Sequence, residues 1–129
     1  MKVCTGDHIV TGGGLALLHE FLLGEKVTPE QAGTRLDPDG PVAETHARFY
    51  GRVCRNWAIA TYCLGGMVIC GGVAGHNPVL VTHEAFRDAF IGDDEYAEFM
   101  ETVQVRLNRN GLSGLYGAAQ AVLDQAPAP

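Results

Sequence analysis

The chain reads as an α/β protein in which helices flank a small partial sheet, and three observations carry that reading. The run MVIC at 67–70 is short, apolar and bounded by glycines, the pattern of a strand buried on both faces. VQVRL at 103–107 alternates apolar with polar residues and marks a second strand. Before and between them, apolar residues recur at spacings of three and four, as on the buried face of a helix. Only two or three strands are visible, too few for a complete doubly wound sheet, so the rest of the sheet is expected outside this chain.

The elements follow in order. In DHIVTGGGLALLHEFLLGE, Thr11 can cap a helix that carries Leu15, Leu18 and Leu22 on one face and stops at Gly24. The triple glycine at 12–14 is poor helix material, which points to a first turn where exposed N–H groups or missing side chains matter. TPEQ at 28–31 has the form of a capping box, with Thr28 as cap, Pro29 at the first helical position and Gln31 reaching back. A short helix to about Gly33 should follow, then the turn-rich TRLDPDGP, with Pro41 placed to start the next helix. That helix carries Val42, His46, Phe49, Val53, Trp57 and Ala60 or Thr61, runs for about 20 residues and ends at Gly65-Gly66, with Trp57 as a core anchor.

After the MVIC strand, Asn77 and Pro78 cap and start a helix carrying Val79, Val81, Phe86 and Phe90. GDDEYAEFMET supplies a further short, acidic helix. NRNGLSG is a loop, and LYGAAQAVLDQ is a small-residue helix that must pack closely on something. Residues 124–129, ending in APAP, read as a disordered tail.

Composition bounds the function. With 129 residues the chain suits one domain, and 47% hydrophobic against 19% charged residues is the profile of a globular protein. A formal net charge of −6 with nine scattered basic residues argues against nucleic acid as a partner. No apolar run approaches the ~18 residues of a membrane span, and MKVCTGDHIV has no signal-peptide core, so a cytoplasmic location is expected. Cys4, Cys54, Cys63 and Cys70 then read as reduced, small core residues. None of the five histidines has zinc spacing, so no protein-held metal is expected.

The segment with the most chemical content is MVICGGVAGHNP at 67–78. A strand that ends on Gly71-Gly72 before a helix puts bare backbone at the carboxyl edge of the sheet, where α/β proteins bind ligands. Glycines there would let a flat adenine or ribose lie on the main chain, although such turns also serve geometry alone, and the spacing matches neither GxGxxG nor a Walker A loop. The carboxylates of Asp93, Asp94 and Glu95 read as a solvated helix start. Asp7, just before the glycine turn, could accept hydrogen bonds from a sugar hydroxyl or be a plain surface acid.

Three segments in this order resemble the bacterial glucokinase family. DHIVTGGGL is similar to its ER-V-L-S-G-P-G-L segment, and GRVCRNWAIATYCLGGMVICGGVA to its long helix, glycine turn and strand. FRDAF, VQVRL and GLSGLYGAA are similar to its closing portion. The resemblance, from about Val3 to Leu123, implies the C-terminal part of the large domain of an actin-like (ribonuclease H-like) ATPase fold, shared with sugar kinases and heat-shock ATPases. It implies phosphorylation of glucose to glucose 6-phosphate by ATP, with Mg²⁺ carried by the nucleotide. Gly71, Gly72 and Val73 would floor the adenosine site with Ala74 as neighbour, and Gly114 and Gly117 would let the last helix pack on the core. Asp7 would replace a sugar-binding glutamate, one methylene shorter. The family's aspartate base and phosphate cradle lie in the preceding part of the chain. These residues alone are therefore expected to be inactive without a partner N-terminal portion, and relatives imply a homodimer.

Overall fold

The computed structural model describes residues 6–125. Cys4 and the APAP tail lie outside the described residues, as does the side chain of Asp7. The described chain runs α1 (Gly6–Ile9), α2 (Gly12–Leu23), α3 (Pro29–Thr34), α4 (Pro41–Thr61), β1 (Met67–Ile69), α5 (Gly72–His76), α6 (Val79–Thr82), α7 (Glu84–Ile91), α8 (Ala97–Thr102), β2 (Val105–Leu107) and α9 (Ser113–Gln125). It is mostly helical around one parallel strand pair, a composition compatible with the α/β class. The register sets Met67 opposite Val105, Val68 opposite Arg106 and Ile69 opposite Leu107.

The capping signals translate directly into structure. The Thr11 hydroxyl accepts from the Gly14 N–H at 3.2 Å and starts α2, and Gly24 ends it in the left-handed conformation. Of the three glycines, Gly14 is the one that geometry demands: a Cβ there would lie 2.1 Å from the Ile9 carbonyl oxygen. The expected capping box closes α3, with Thr28 N–H donating to Gln31 Oε1 at 3.1 Å and Gln31 N–H donating to Thr28 Oγ1 at 3.3 Å. His19 is buried on α2, and its Nε2 donates to the Ala32 carbonyl at 3.2 Å, pinning α2 to α3. Leu15, Ala32 and Val42 form the small core beneath them.

The main core lies between α4 and α7, and here the expected helix face needs correcting. The buried face of α4 is Val42, Ala43, His46, Ala47, Gly51, Cys54, Arg55 and Ala58, while Phe49 is 40% and Trp57 63% exposed. Trp57 is no core anchor in the described chain. The small stripe of Ala47, Gly51, Cys54 and Ala58 wins because α7 passes close to it: a Cβ on Gly51 would sit 2.3 Å from the Phe86 carbonyl oxygen. Large side chains on that stripe would hold the two helices apart. α4 also stops earlier than expected, at Thr61, because Tyr62 turns left-handed (φ 49°) and its ring stacks on Phe99, centroids 5.0 Å apart.

A buried cation fastens the far end of this contact. Arg55 donates through Nη1 to the carbonyls of Phe90 (3.0 Å) and Ile91, and through Nη2 to the Asp94 carboxylate. The last carbonyls of α7, which a helix end leaves without partners, are thereby satisfied. Asp94 is held below the usual carboxylate range, chiefly by the Tyr96 N–H and then by Arg55. This acid, read from sequence as solvated, is thus tied to the core, although its side chain remains 56% exposed.

Four further expectations are revised. The Asn77-Pro78 helix is two helices, because His83 is extended (ψ 144°) and its Nδ1 accepts from the Ala85 N–H at 3.0 Å to cap α7. β1 is not buried on both faces: Val68 is 61% exposed where Ile69 is buried. Asp124 and Gln125 belong to α9 rather than to a tail. α9 itself buries no residue, and Gly114 and Gly117 face open space, so the expected docking of this helix is absent from the described chain. Of the cysteines, Cys54 is buried, its thiol pushed up to about 12 by burial, while Cys63 is half-buried and Cys70 exposed.

Two stability measurements test this packing. Gly51→Ala should destabilise the chain by about 1–3 kcal/mol or more in urea denaturation, since its methyl cannot fit without moving α7; an unchanged midpoint would show that the two helices are not in close contact. His46 is fully buried on α4 and makes an edge-on contact with Tyr50 at 5.9 Å; burial lowers its pKa to about 4, against an opposing pull from the backbone of Thr11 and Ile9. The unfolded chain, with an ordinary histidine near 6.5, then binds more protons than the folded one between pH 6.5 and 4. Stability should fall by roughly 3 kcal/mol as pH drops through that window, and His46→Leu should remove the dependence.

Candidate functional site

Three of the helices, α2, α3 and α5, meet around a cleft of about 600 Å³. That size lies within the ~300–1,000 Å³ typical of small-molecule sites. Its walls are Gly12 and Leu15 from α2, Pro29, Glu30, Gly33 and Thr34 from α3, and Gly72, Val73 and His76 from α5, with Asn77 at the end. The glycine turn after β1 therefore does open onto a cavity. It does so as the first turn of a helix, α5, which sequence reasoning missed because Gly-Gly and a further Gly75 are weak helix formers.

The two glycines have separate tasks. Gly71 has φ 125°, a conformation that side chains rarely adopt, and it swings the chain from β1 into α5. Gly72 has ordinary helical backbone, and a Cβ there would make only normal contacts with His76, at 3.7 Å to Nδ1 and 4.0 Å to Cε1. What Gly72 provides is space on the cleft wall. Val73 lines the same wall, whereas Ala74 is 1% exposed and packs into the main core with Ile69 and Phe86. The structure thus brings Gly72 and Val73 to the cleft, sets Gly71 behind them as the turn, and gives Ala74 a packing role.

The polar groups of the cleft are few and mostly anchored. His76 Nδ1 lies 2.7 Å from the Gly72 carbonyl oxygen, and Asn77 Nδ2 donates to the Val73 carbonyl at 3.2 Å. Asn77 also faces Gly33 across the cleft end, where an added Cβ would be 3.1 Å from its Nδ2. Glu30 is held below the usual carboxylate range by backbone hydrogen bonding and by the Thr28 hydroxyl, so it presents an ionised acceptor at neutral pH. An apolar slot with a bare backbone wall and a few polar groups has the make-up of a small-molecule site. Glu30, Thr34 and His76 were not singled out from sequence. A capping position and a histidine without metal spacing give no signal until the fold places them together.

Asp7 lies in α1, one short turn before Gly12 of the cleft wall, and its side chain is outside the described residues. A second cleft of about 610 Å³ lies along α6, α7, α8 and β2 and contains none of the expected site residues. Among the described residues, no group of three or more His, Cys, Asp or Glu side chains is placed to hold a metal ion. No helix there is long and apolar enough to cross a membrane.

Comparison with known proteins covers nearly the whole chain. The family described as Glucokinase matches residues 2–125. A protein named Glucokinase from Marinobacter nauticus is 29% identical over 98 residues, which is 76% of this chain but only 30% of that protein's length. No solved structure matches. With the glycine turn, the cleft and the closing helix all inside the matched span, the chain belongs to the glucokinase family.

Proposed function

We propose that these residues form the adenosine-binding C-terminal segment of an ATP-dependent hexose kinase that converts glucose to glucose 6-phosphate. The observation that supports this most is the opening of Gly72 and Val73, with no side chain at the former, onto a ligand-sized cleft inside a chain of the glucokinase family. Adenosine would lie on the Gly72 wall, with Leu15 and Val73 as apolar surface and Glu30 as acceptor for ribose hydroxyls. Mg²⁺ would arrive with the nucleotide and would supply positive charge against its phosphates.

In the reaction the sugar hydroxyl attacks the terminal phosphorus, the bond from that phosphorus to the ADP oxygen breaks, and the hydroxyl proton passes to a carboxylate base. The base and the phosphate cradle are assigned to the portion of the kinase that precedes these residues. Asp7, linked through α1 to the cleft wall, would hold a sugar hydroxyl. The actin-like architecture is part of the same proposal: the exposed Val68 on β1 and the unburied α9 are surfaces that further strands and helices of such a domain would cover.

Residues 1–129 alone should show no glucose-dependent ATP consumption, and joining them to the N-terminal portion of a family member should restore it. A rejoined protein that binds ATP and ignores every hexose would overturn the sugar assignment. In the active protein, Gly72→Val should raise the KM for ATP by about tenfold or more while leaving folding intact, because its backbone is ordinary and the space is open. Asp7→Asn should raise the KM for glucose by a similar factor and leave that for ATP unchanged; equal effects on both substrates would remove Asp7 from the sugar site.

A further inference from the structure

Resting on the reading of this cleft as an adenosine site, we propose that His76 selects the base, its Nε2 accepting a hydrogen bond from a 6-amino group on the purine. The argument starts from the other ring nitrogen. His76 Nδ1 is 2.7 Å from the Gly72 carbonyl oxygen, and a carbonyl oxygen can only accept, so Nδ1 carries the proton of that hydrogen bond. In the neutral imidazole this leaves Nε2 with a lone pair and no proton. The tautomer is set by the backbone of the same residue that forms the bare wall.

The ring also stands in the right place. The position a Cβ would occupy on Gly72 is 3.7 Å from His76 Nδ1 and 4.0 Å from Cε1, so the edge of the imidazole borders the space a flat ring would fill. His76 lines the cleft and is exposed to it rather than buried in the fold. The nearby Asn77 amide nitrogen donates to the Val73 carbonyl, and among the side chains of α5 that line the cleft His76 is the one with a nitrogen left to accept. A 6-amino group donates to such an acceptor. A 6-oxo group sets lone pair against lone pair, and a purine with no 6-substituent offers nothing.

The test uses the chain itself, with adenosine, inosine and purine riboside titrated against the backbone N–H resonances of Gly71 and Gly72. Adenosine should bind on the order of tenfold tighter than either of the others, and in His76→Phe the three affinities should come within about twofold. Purine riboside is the internal reference, because its binding needs no 6-substituent and so reports any general damage to the cleft. An adenosine preference that survives in His76→Phe, or its absence from the unmodified chain, overturns the role of His76 while leaving the adenosine site standing. If adenosine does not bind, or binds equally well to Gly72→Val, both the site and its selector fall.

Discussion

The structure depends on how closely α4 and α7 approach each other. The Phe86 carbonyl reaches into the space where a side chain on Gly51 would be, and the flanking Ala47, Cys54 and Ala58 keep the rest of the seam narrow. From that seam the other contacts follow. Phe86 and Phe90 stack with centroids 6.0 Å apart, Tyr50 meets Phe86 edge-on, and His46 extends the aromatic row to the turn between α1 and α2. Arg55 closes the opposite end by holding the α7 carbonyls. One glycine on one helix thus sets the distance that the aromatic and ionic contacts are built to.

The cleft is a by-product of the same arrangement. α4 supplies Val42 to the small core under α2 and α3, while α7 and β1 together bury Ala74 and so fix the orientation of α5. Two independently anchored walls then face each other, with Leu15, Glu30 and Gly33 on one side and Gly72, Val73 and His76 on the other. Neither wall is a loop. Walls that are helices tied to separate cores are held in place without a ligand, so a molecule entering between them would have little left to order.

What could be read from sequence was whatever acts over three or four residues. The Thr11 cap, the Thr28–Gln31 box, Gly24, Pro41 and the two strands all follow from local backbone chemistry. The glycine turn was legible as a place without side chains, and it lies in one of the three segments that together carried the family resemblance. The buried face of α4 was not legible, because periodicity rewards large apolar residues, and Phe49 and Trp57 satisfied it while facing outward. The true seam is made of small residues, whose meaning depends on a helix more than 30 residues away. Arg55 as a clamp was not legible because its partners lie some 35 residues away, whereas His83 as a cap and α5 as a helix escaped because histidine is not a preferred cap and glycine is a weak helix former.

The parallel pairing of β1 with β2 joins segments far apart in the chain, which has a cost for assembly. Its partners, such as Met67 and Val105, are separated by all of α5 to α8, and closing so long a loop costs about 3 kcal/mol before a single ladder bond forms. Two three-residue strands return too little to begin that process unaided. Docking of α7 on α4 shortens the path by bringing Phe86 and its neighbours beside the strand end first. Loop entropy therefore favours a ladder that forms late, with the turn at Gly71 that hangs from β1 taking shape after the helical cores. During synthesis the segment carrying His76 would emerge early, but β1, from which it hangs, could be paired only once Val105 to Leu107 had followed.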